Sequence, residues 1–198
     1  MSKTVPFIRS SYVIAALITA CCTLLYFMET DSLLAFRRSA ITNGEYWRLF
    51  TGNLLHTNQW HLLMNLAGLW VLLLLFKPHF KVLSFTFIFS ALCLLQGLGL
   101  YLFYPGLLGY VGLSGMLHGL FTYGAIRDIS TGLKSGYLLL LGVIIKVGYE
   151  QIFGASVQVT EMIGARVATE AHLVGVITGI LSVGLFSLFA NLYPKANN

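Results

Sequence analysis

Six apolar stretches close to the length that crosses a lipid bilayer take up most of this chain, at residues 12–28, 60–76, 82–103, 112–126, 136–153 and 167–190. A spanning helix needs about 20 such residues. Backbone N–H and C=O groups in hydrocarbon must bond within their own segment, so each stretch is predicted to be a helix. Only 10% of the 198 residues are charged, against about 25% in a soluble domain, so most of the surface must face something other than water. Gly, Pro and polar residues interrupt the apolar runs at 51–53, 77–78, 104–109, 131–136 and 154–164. There is no internal repeat, low-complexity run or composition shift. The expected architecture is an all-α membrane protein, with residues 1–198 forming a single domain of six transmembrane helices.

The first stretch raises a processing question. Lys3 and Arg9 precede it, as in a signal peptide, and Ile18-Thr19-Ala20-Cys21 looks like a lipoprotein cleavage box. The apolar run continues through Met28, too long for a signal core, so a retained helix is expected. Cys21, Cys22 and Cys93 all lie in apolar stretches. They read as small packing residues, with neither a disulfide framework nor a cysteine metal site.

The net charge of +5 reads as a topology signal and implies no nucleic-acid partner. With six spans both termini share a side. Lys3, Arg9, Lys77, Lys81, Arg127, Lys134 and Lys195 collect there. Arg37, Arg38, Arg48 and Arg166 fall on the other side, diluted by Glu29, Asp31, Glu45, Glu161 and Glu170. The positive-inside rule puts both termini in the cytoplasm.

That topology makes a geometric statement about the polar residues. The second, fourth and sixth stretches all start on the outer side. His61 and Asn65, Ser114, and His172 lie near those starts, so residues far apart in sequence converge at one depth. Polar groups inside a membrane are costly and usually face the bundle interior. Taken singly, a membrane serine bonds a backbone carbonyl, and a His–Asn pair serves as interhelical glue. The flanking residues say more. Gly112 and Gly115 strip side chains from around Ser114. Gly175 and Gly179, one turn apart after His172, form a small-xxx-small stripe that lets two helices approach closely. A serine hydroxyl needs an adjacent base to become a nucleophile. His61 and Asn65, four apart on one helix face, can donate to an oxyanion together with backbone N–H groups at the helix start near Ser114.

The ordered set Gly44-Glu45-Tyr46-Trp47-Arg48, His56, His61 with Asn65, Gly112-Leu113-Ser114-Gly115, and Ala171-His172 with Gly175 and Gly179 resembles the rhomboid proteases. The resemblance covers residues 44–181. It implies a six-helix rhomboid core, no cofactor and no metal, and a Ser–His dyad without an acidic third member. Ser114 matches the nucleophile, His172 the base, and His61 and Asn65 the oxyanion side chains. Trp47 and Arg48 match the pair that helps seat the first outer loop on the membrane surface. His56 matches a further, structural histidine at the end of that loop. Glu170 reads as a loop residue.

One departure stands out. Many rhomboids carry an aromatic residue, usually Tyr, one turn after the nucleophile, and here that position is His118. It can stack on His172, hold a water, or act as base itself. The run from Gly112 through Met116, Leu117 and His118 to Gly119, with Glu150-Gln151 later, looks like the rhombosortase branch. Enzymes of that branch are paired with exported, membrane-tethered proteins bearing a GlyGly-CTERM tail, a glycine motif followed by a hydrophobic helix and a basic end. The resemblance implies cleavage of such tails at the periplasmic side of a bacterial inner membrane, with hydrolysis or transfer to another amine left open. Three other readings are a rhomboid of general single-span specificity, an inactive rhomboid-like helix binder, and a transporter. A metal site from His56, His61, His118 and His172 lacks the H-E-x-x-H or cysteine pattern such sites use. Lys146, the main charge within the helices, either snorkels or pairs with Glu150 four residues on.

Overall fold

The computed structural model describes residues 10–192; Lys3, Arg9 and Lys195 of the charge asymmetry lie outside them. Helix α1 (Ser11–Phe27) leads into three short helices, α2 (Asp31–Leu34), α3 (Arg38–Thr42) and α4 (Arg48–Thr51). Then come α5 (Gln59–Leu75), α6 (Val82–Phe103), α7 (Ser114–Ser130), α8 (Ser135–Phe153), the short α9 (Val157–Ile163) and α10 (Thr169–Leu192). Two-residue strands β1 (Phe36–Arg37) and β2 (Gly109–Tyr110) pair antiparallel, Phe36 opposite Tyr110. The six apolar stretches correspond to α1, α5, α6, α7, α8 and α10. Only the end of α7, which runs on through Arg127 and Asp128 to Ser130, departs from its stretch by more than two residues.

The chain is thus an all-α, multi-pass membrane protein. Val82–Phe103, Ser135–Phe153 and Thr169–Phe186 are each long and apolar enough to cross a membrane, and Arg48–Leu54 with Gln59–Leu75 passes as one segment bent by 97°. The bend follows from local conformation, since Leu55 and Asn58 are both extended and interrupt helical bonding. The Asn58 side chain then restarts the helix by accepting the His61 N–H at 2.9 Å, an N-cap that satisfies one of the orphan donors of α5. Apolar burial between α1, α5, α6 and α7 centres on Leu69, Leu73, Phe76, Phe85 and Leu92. Large apolar side chains also face outward, among them Leu94, Leu141, Ile144 and Ile145, as lipid contact requires. In α8 only 17% of the spanning window is buried, against 44% in α6 and α10, so α8 sits at the rim of the bundle.

The connections gather at two ends. At one, His79 Nε2 lies 2.6 Å from Asp128 Oδ1, joining the α5–α6 connection to the end of α7, and Lys77 lies over the Tyr12 ring near the start of α1. At the other, β1 pairs with β2, Asn58 donates to the Met162 carbonyl at 2.9 Å, and Thr57 to the Ile163 carbonyl at 2.7 Å. Two arginines organise this second end. Arg38 donates to the carbonyls of Leu100, Tyr101, Tyr104 and Leu107 at 2.8–3.1 Å, satisfying the orphan acceptors at the end of α6. Arg48, buried, holds Glu45 and the carbonyls of Ser32 and Ala35. Its side chain is turned into the loop, which it fastens to itself; Trp47, half exposed, donates to the Leu33 carbonyl.

Candidate active site

The polar residues singled out by sequence meet at the second end, at the start of α7. Gly112 precedes that helix with φ +124, a conformation only glycine adopts freely. A Cβ there would stand 2.6 Å from His61 Nε2 and 3.6 Å from Asn65 Nδ2. The turn is held on both sides. Gly112 N–H donates to the Gly52 carbonyl at 3.1 Å, and the Tyr110 hydroxyl donates to the Gly112 carbonyl while accepting from the Gly115 N–H. Burial pushes the Tyr110 phenol up to about 12, so it remains a proton donor at neutral pH.

Ser114 is the first residue of α7, where N–H groups lack intrahelical acceptors and the helix dipole favours negative charge. Its Oγ lies 3.1 Å from Nε2 of His172 in the first turn of α10. The two helices reach this distance because their backbones touch. A Cβ on Gly175 would overlap the Gly115 carbonyl oxygen, and one on Gly179 would stand 2.5 Å from the Gly119 carbonyl oxygen. Gly115 and Gly119 offer the reciprocal faces, against the carbonyls of Ala171 and Gly175.

His61 and Asn65 point from α5 toward Gly112. Asn65 is buried, and its Nδ2 makes no hydrogen bond among the described residues. A buried donor of this kind calls for an acceptor. Thr57 backs the other edge of the His61 ring, with its N–H 3.4 Å and its hydroxyl 3.1 Å from Nδ1, so that Nε2 is the ring nitrogen turned to the Gly112 turn. His56, also buried, sits edge-on against His61 with ring centroids 5.1 Å apart and braces it. A cavity of about 480 Å³ spreads in front of these groups, lined by Ser114, His172, His61, Asn65 and His118 and, on another side, by residues between Val159 and Ala168.

His118 stacks on His172, with centroids 4.1 Å apart and planes 21° from parallel. Its Nδ1 meets the Ser114 carbonyl at 2.7 Å. On the far side of His172, Nδ1 lies 2.8 Å from Glu150 Oε2. The dyad expected from sequence therefore has an acidic neighbour, which comes from α8. Glu150 does pair with Lys146, at 2.9 Å, but the Lys146 ammonium also lies 2.6 Å from His118 Nε2 and 3.4 Å from His172 Nδ1. His118, Glu150 and His172 offer ligand atoms within 4.8 Å of one another. Lys146 sets its ammonium against all three of these side chains. Glu170, expected in a loop, lies in the first turn of α10 and pairs with Arg166 at 3.0 Å.

Sequence reasoning missed three supports of the site: Glu150 as partner of His172, Tyr110 beneath the turn, and Thr57 behind His61. A signal for the first was present, because ionisable residues in an apolar helix face the bundle interior, and Lys146 and Glu150 share a face of α8. Residues 43–189 match the Rhomboid domain family. A comparison with curated proteins gives no match.

Proposed function

The chain belongs to the rhomboid family of intramembrane serine proteases, and on that premise we propose that Ser114 is its nucleophile and His172 its general base. The observation that carries this reading is the 3.1 Å separation of Ser114 Oγ and His172 Nε2. His172 takes the Ser114 proton as Oγ attacks the substrate carbonyl carbon. The carbonyl oxygen becomes an oxyanion beside Gly112, met by His61 Nε2, Asn65 Nδ2 and the Ser114 N–H that opens α7. The intermediate collapses to an acyl-enzyme, and His172 returns its proton to the departing amine. Water then gives a proton to His172 and attacks the ester, His172 returns that proton to Ser114 Oγ as it departs, and the freed carboxylic acid ionises in solvent. Asn65→Ala and His61→Ala are each expected to lower kcat by about 10²–10³-fold, the usual effect of losing one oxyanion donor. Labelling of Ser114 by a fluorophosphonate should slow but persist, and unchanged turnover in both variants would exclude them from the oxyanion site.

We read α1, α5, α6, α7, α8 and α10 as six spans. Lys77, Lys81, Arg127 and Lys134 lie at the end opposite Ser114, so the positive-inside rule puts that end in the cytoplasm and the site at the periplasmic face of a bacterial inner membrane. His118 and Glu150-Gln151 favour the rhombosortase branch. The proposed substrate is a membrane-tethered protein with a C-terminal GlyGly-CTERM tail, cut near its glycines. Glycine weakens a helix by about 1 kcal/mol relative to alanine, which lets the chain extend and present its carbonyl to Ser114. The test compares a GlyGly-tailed single-span substrate with one whose glycines are replaced by leucine, in detergent. Preferential cleavage at the glycines is expected. Equal cleavage of both overturns the tail specificity and leaves a general rhomboid protease.

A further inference from the structure

The protons of the network around His172 can be assigned one by one. A carbonyl oxygen can only accept, so His118 Nδ1, 2.7 Å from the Ser114 carbonyl, carries the ring hydrogen and His118 Nε2 is an acceptor. Lys146 Nζ, 2.6 Å away, donates to that Nε2 and gives a second hydrogen to Glu150 Oε2 at 2.9 Å. An ionised carboxylate also only accepts, so His172 Nδ1 donates to the same Oε2 at 2.8 Å. The lone pair of His172 Nε2 is then left facing Ser114 Oγ, the tautomer a general base requires. The chain of bonds starts at the carbonyl of Ser114 and returns to its hydroxyl.

Charge argues in the same direction. The Glu150 side chain is 11% exposed and that of His172 6%. A lone charge here, in an apolar helix, is costly to bury. The Lys146 ammonium pairs with the carboxylate at 2.9 Å, and the carboxylate in turn faces the position where positive charge appears when His172 becomes an imidazolium. On the reading of Ser114 and His172 as nucleophile and base, we propose that Glu150 is the positioning carboxylate of His172 and that Lys146 holds it charged and aimed, so that the site works as a Ser–His–Glu arrangement. His118 closes the network by fixing the direction in which Lys146 donates.

The isosteric change Glu150→Gln separates this role from a structural one, because the amide oxygen can still accept both hydrogen bonds while the charge is gone. With purified enzyme in detergent and the GlyGly-tailed single-span substrate, kcat should fall by about 10²–10⁴-fold, the scale seen when the acidic member of a serine-protease triad is neutralised. KM should stay within about twofold, since uniform binding is untouched. Glu150→Asp should recover part of the loss. Lys146→Met, which keeps the stem and removes the charge, should lower kcat by at least about 10-fold, and the double variant should lose no more than Glu150→Gln alone, as groups acting in series do. Should Glu150→Gln fail to fold, Lys146→Met carries the test. Wild-type turnover in Glu150→Gln or in Lys146→Met, while the fluorophosphonate still labels Ser114, overturns the Glu150 proposal alone. Failure of the probe to label Ser114 in the wild-type enzyme overturns both this proposal and the reading beneath it.

Discussion

Replacing Ser114 with alanine is expected to reduce cleavage to background while leaving the protein folded. The hydroxyl is the attacking group, and no neighbouring side chain offers a substitute: His172 Nε2 faces it, His118 is engaged by Lys146 and the Ser114 carbonyl, and Thr122 donates to the His118 carbonyl a turn further on. Loss of the nucleophile in a Ser–His site typically costs on the order of 10⁶ in kcat. His172→Ala should cost about as much, and the double variant no more than either single one, because the two residues perform one proton transfer. Stability should change by less than about 1.5 kcal/mol, the net worth of one hydrogen bond. Cleavage of a single-span substrate, fluorophosphonate labelling and thermal unfolding in detergent measure all three quantities. Retained cleavage in Ser114→Ala would refute the assignment.

Gly175→Ala is expected to damage both the fold and the chemistry. The new methyl would overlap the Gly115 carbonyl oxygen and stand 3.3 Å from the Gly119 nitrogen. Both are main-chain atoms inside a helix, so neither can swing aside as the tip of a flexible side chain would. The helices must part instead. Overpacking of this kind costs about 1–3 kcal/mol. Parting α7 from α10 also draws His172 from Ser114, and a misplacement of about 1 Å lowers rates by roughly 10². Gly142→Ala on α8, where a Cβ meets nothing within 4 Å, is the control and should retain wild-type cleavage. An unaltered melting temperature and cleavage rate in Gly175→Ala would show that the two backbones are not in contact.

These residues also show where sequence reading succeeds and where it stops. The apolar stretches carried the main helices because hydropathy records which segments lie in lipid. The glycines around Ser114 and after His172 were legible because small residues at a four-residue spacing mark close helix approach. Arg38 was opaque, since its four carbonyl acceptors lie more than 60 positions away and no periodicity links them. The short helices of the first loop depend on such contacts and left no pattern of their own. Glu150 escaped for a different reason. Lys146, four residues before it, already offers a partner on its own helix, and spacing alone does not say that the same oxygen also reaches His172. The rotation of α8 about its axis decides that, and it is set by packing against α7 and α10.

The meeting of α7 with α10 is a contact between main chains. Gly115, Gly119, Gly175 and Gly179 contribute no side chains to it, and the outward residues of α10, such as Ile177, Ile180 and Leu181, are about half exposed to the surroundings. The separation of the reacting atoms is therefore insulated from the identity of the lipid-facing surface. A descendant of this chain can lengthen, shorten or rewrite that surface to suit a thicker or thinner bilayer while inheriting the same spacing between hydroxyl and imidazole. Adaptation to a membrane and conservation of chemistry are thereby assigned to different atoms of the same helices.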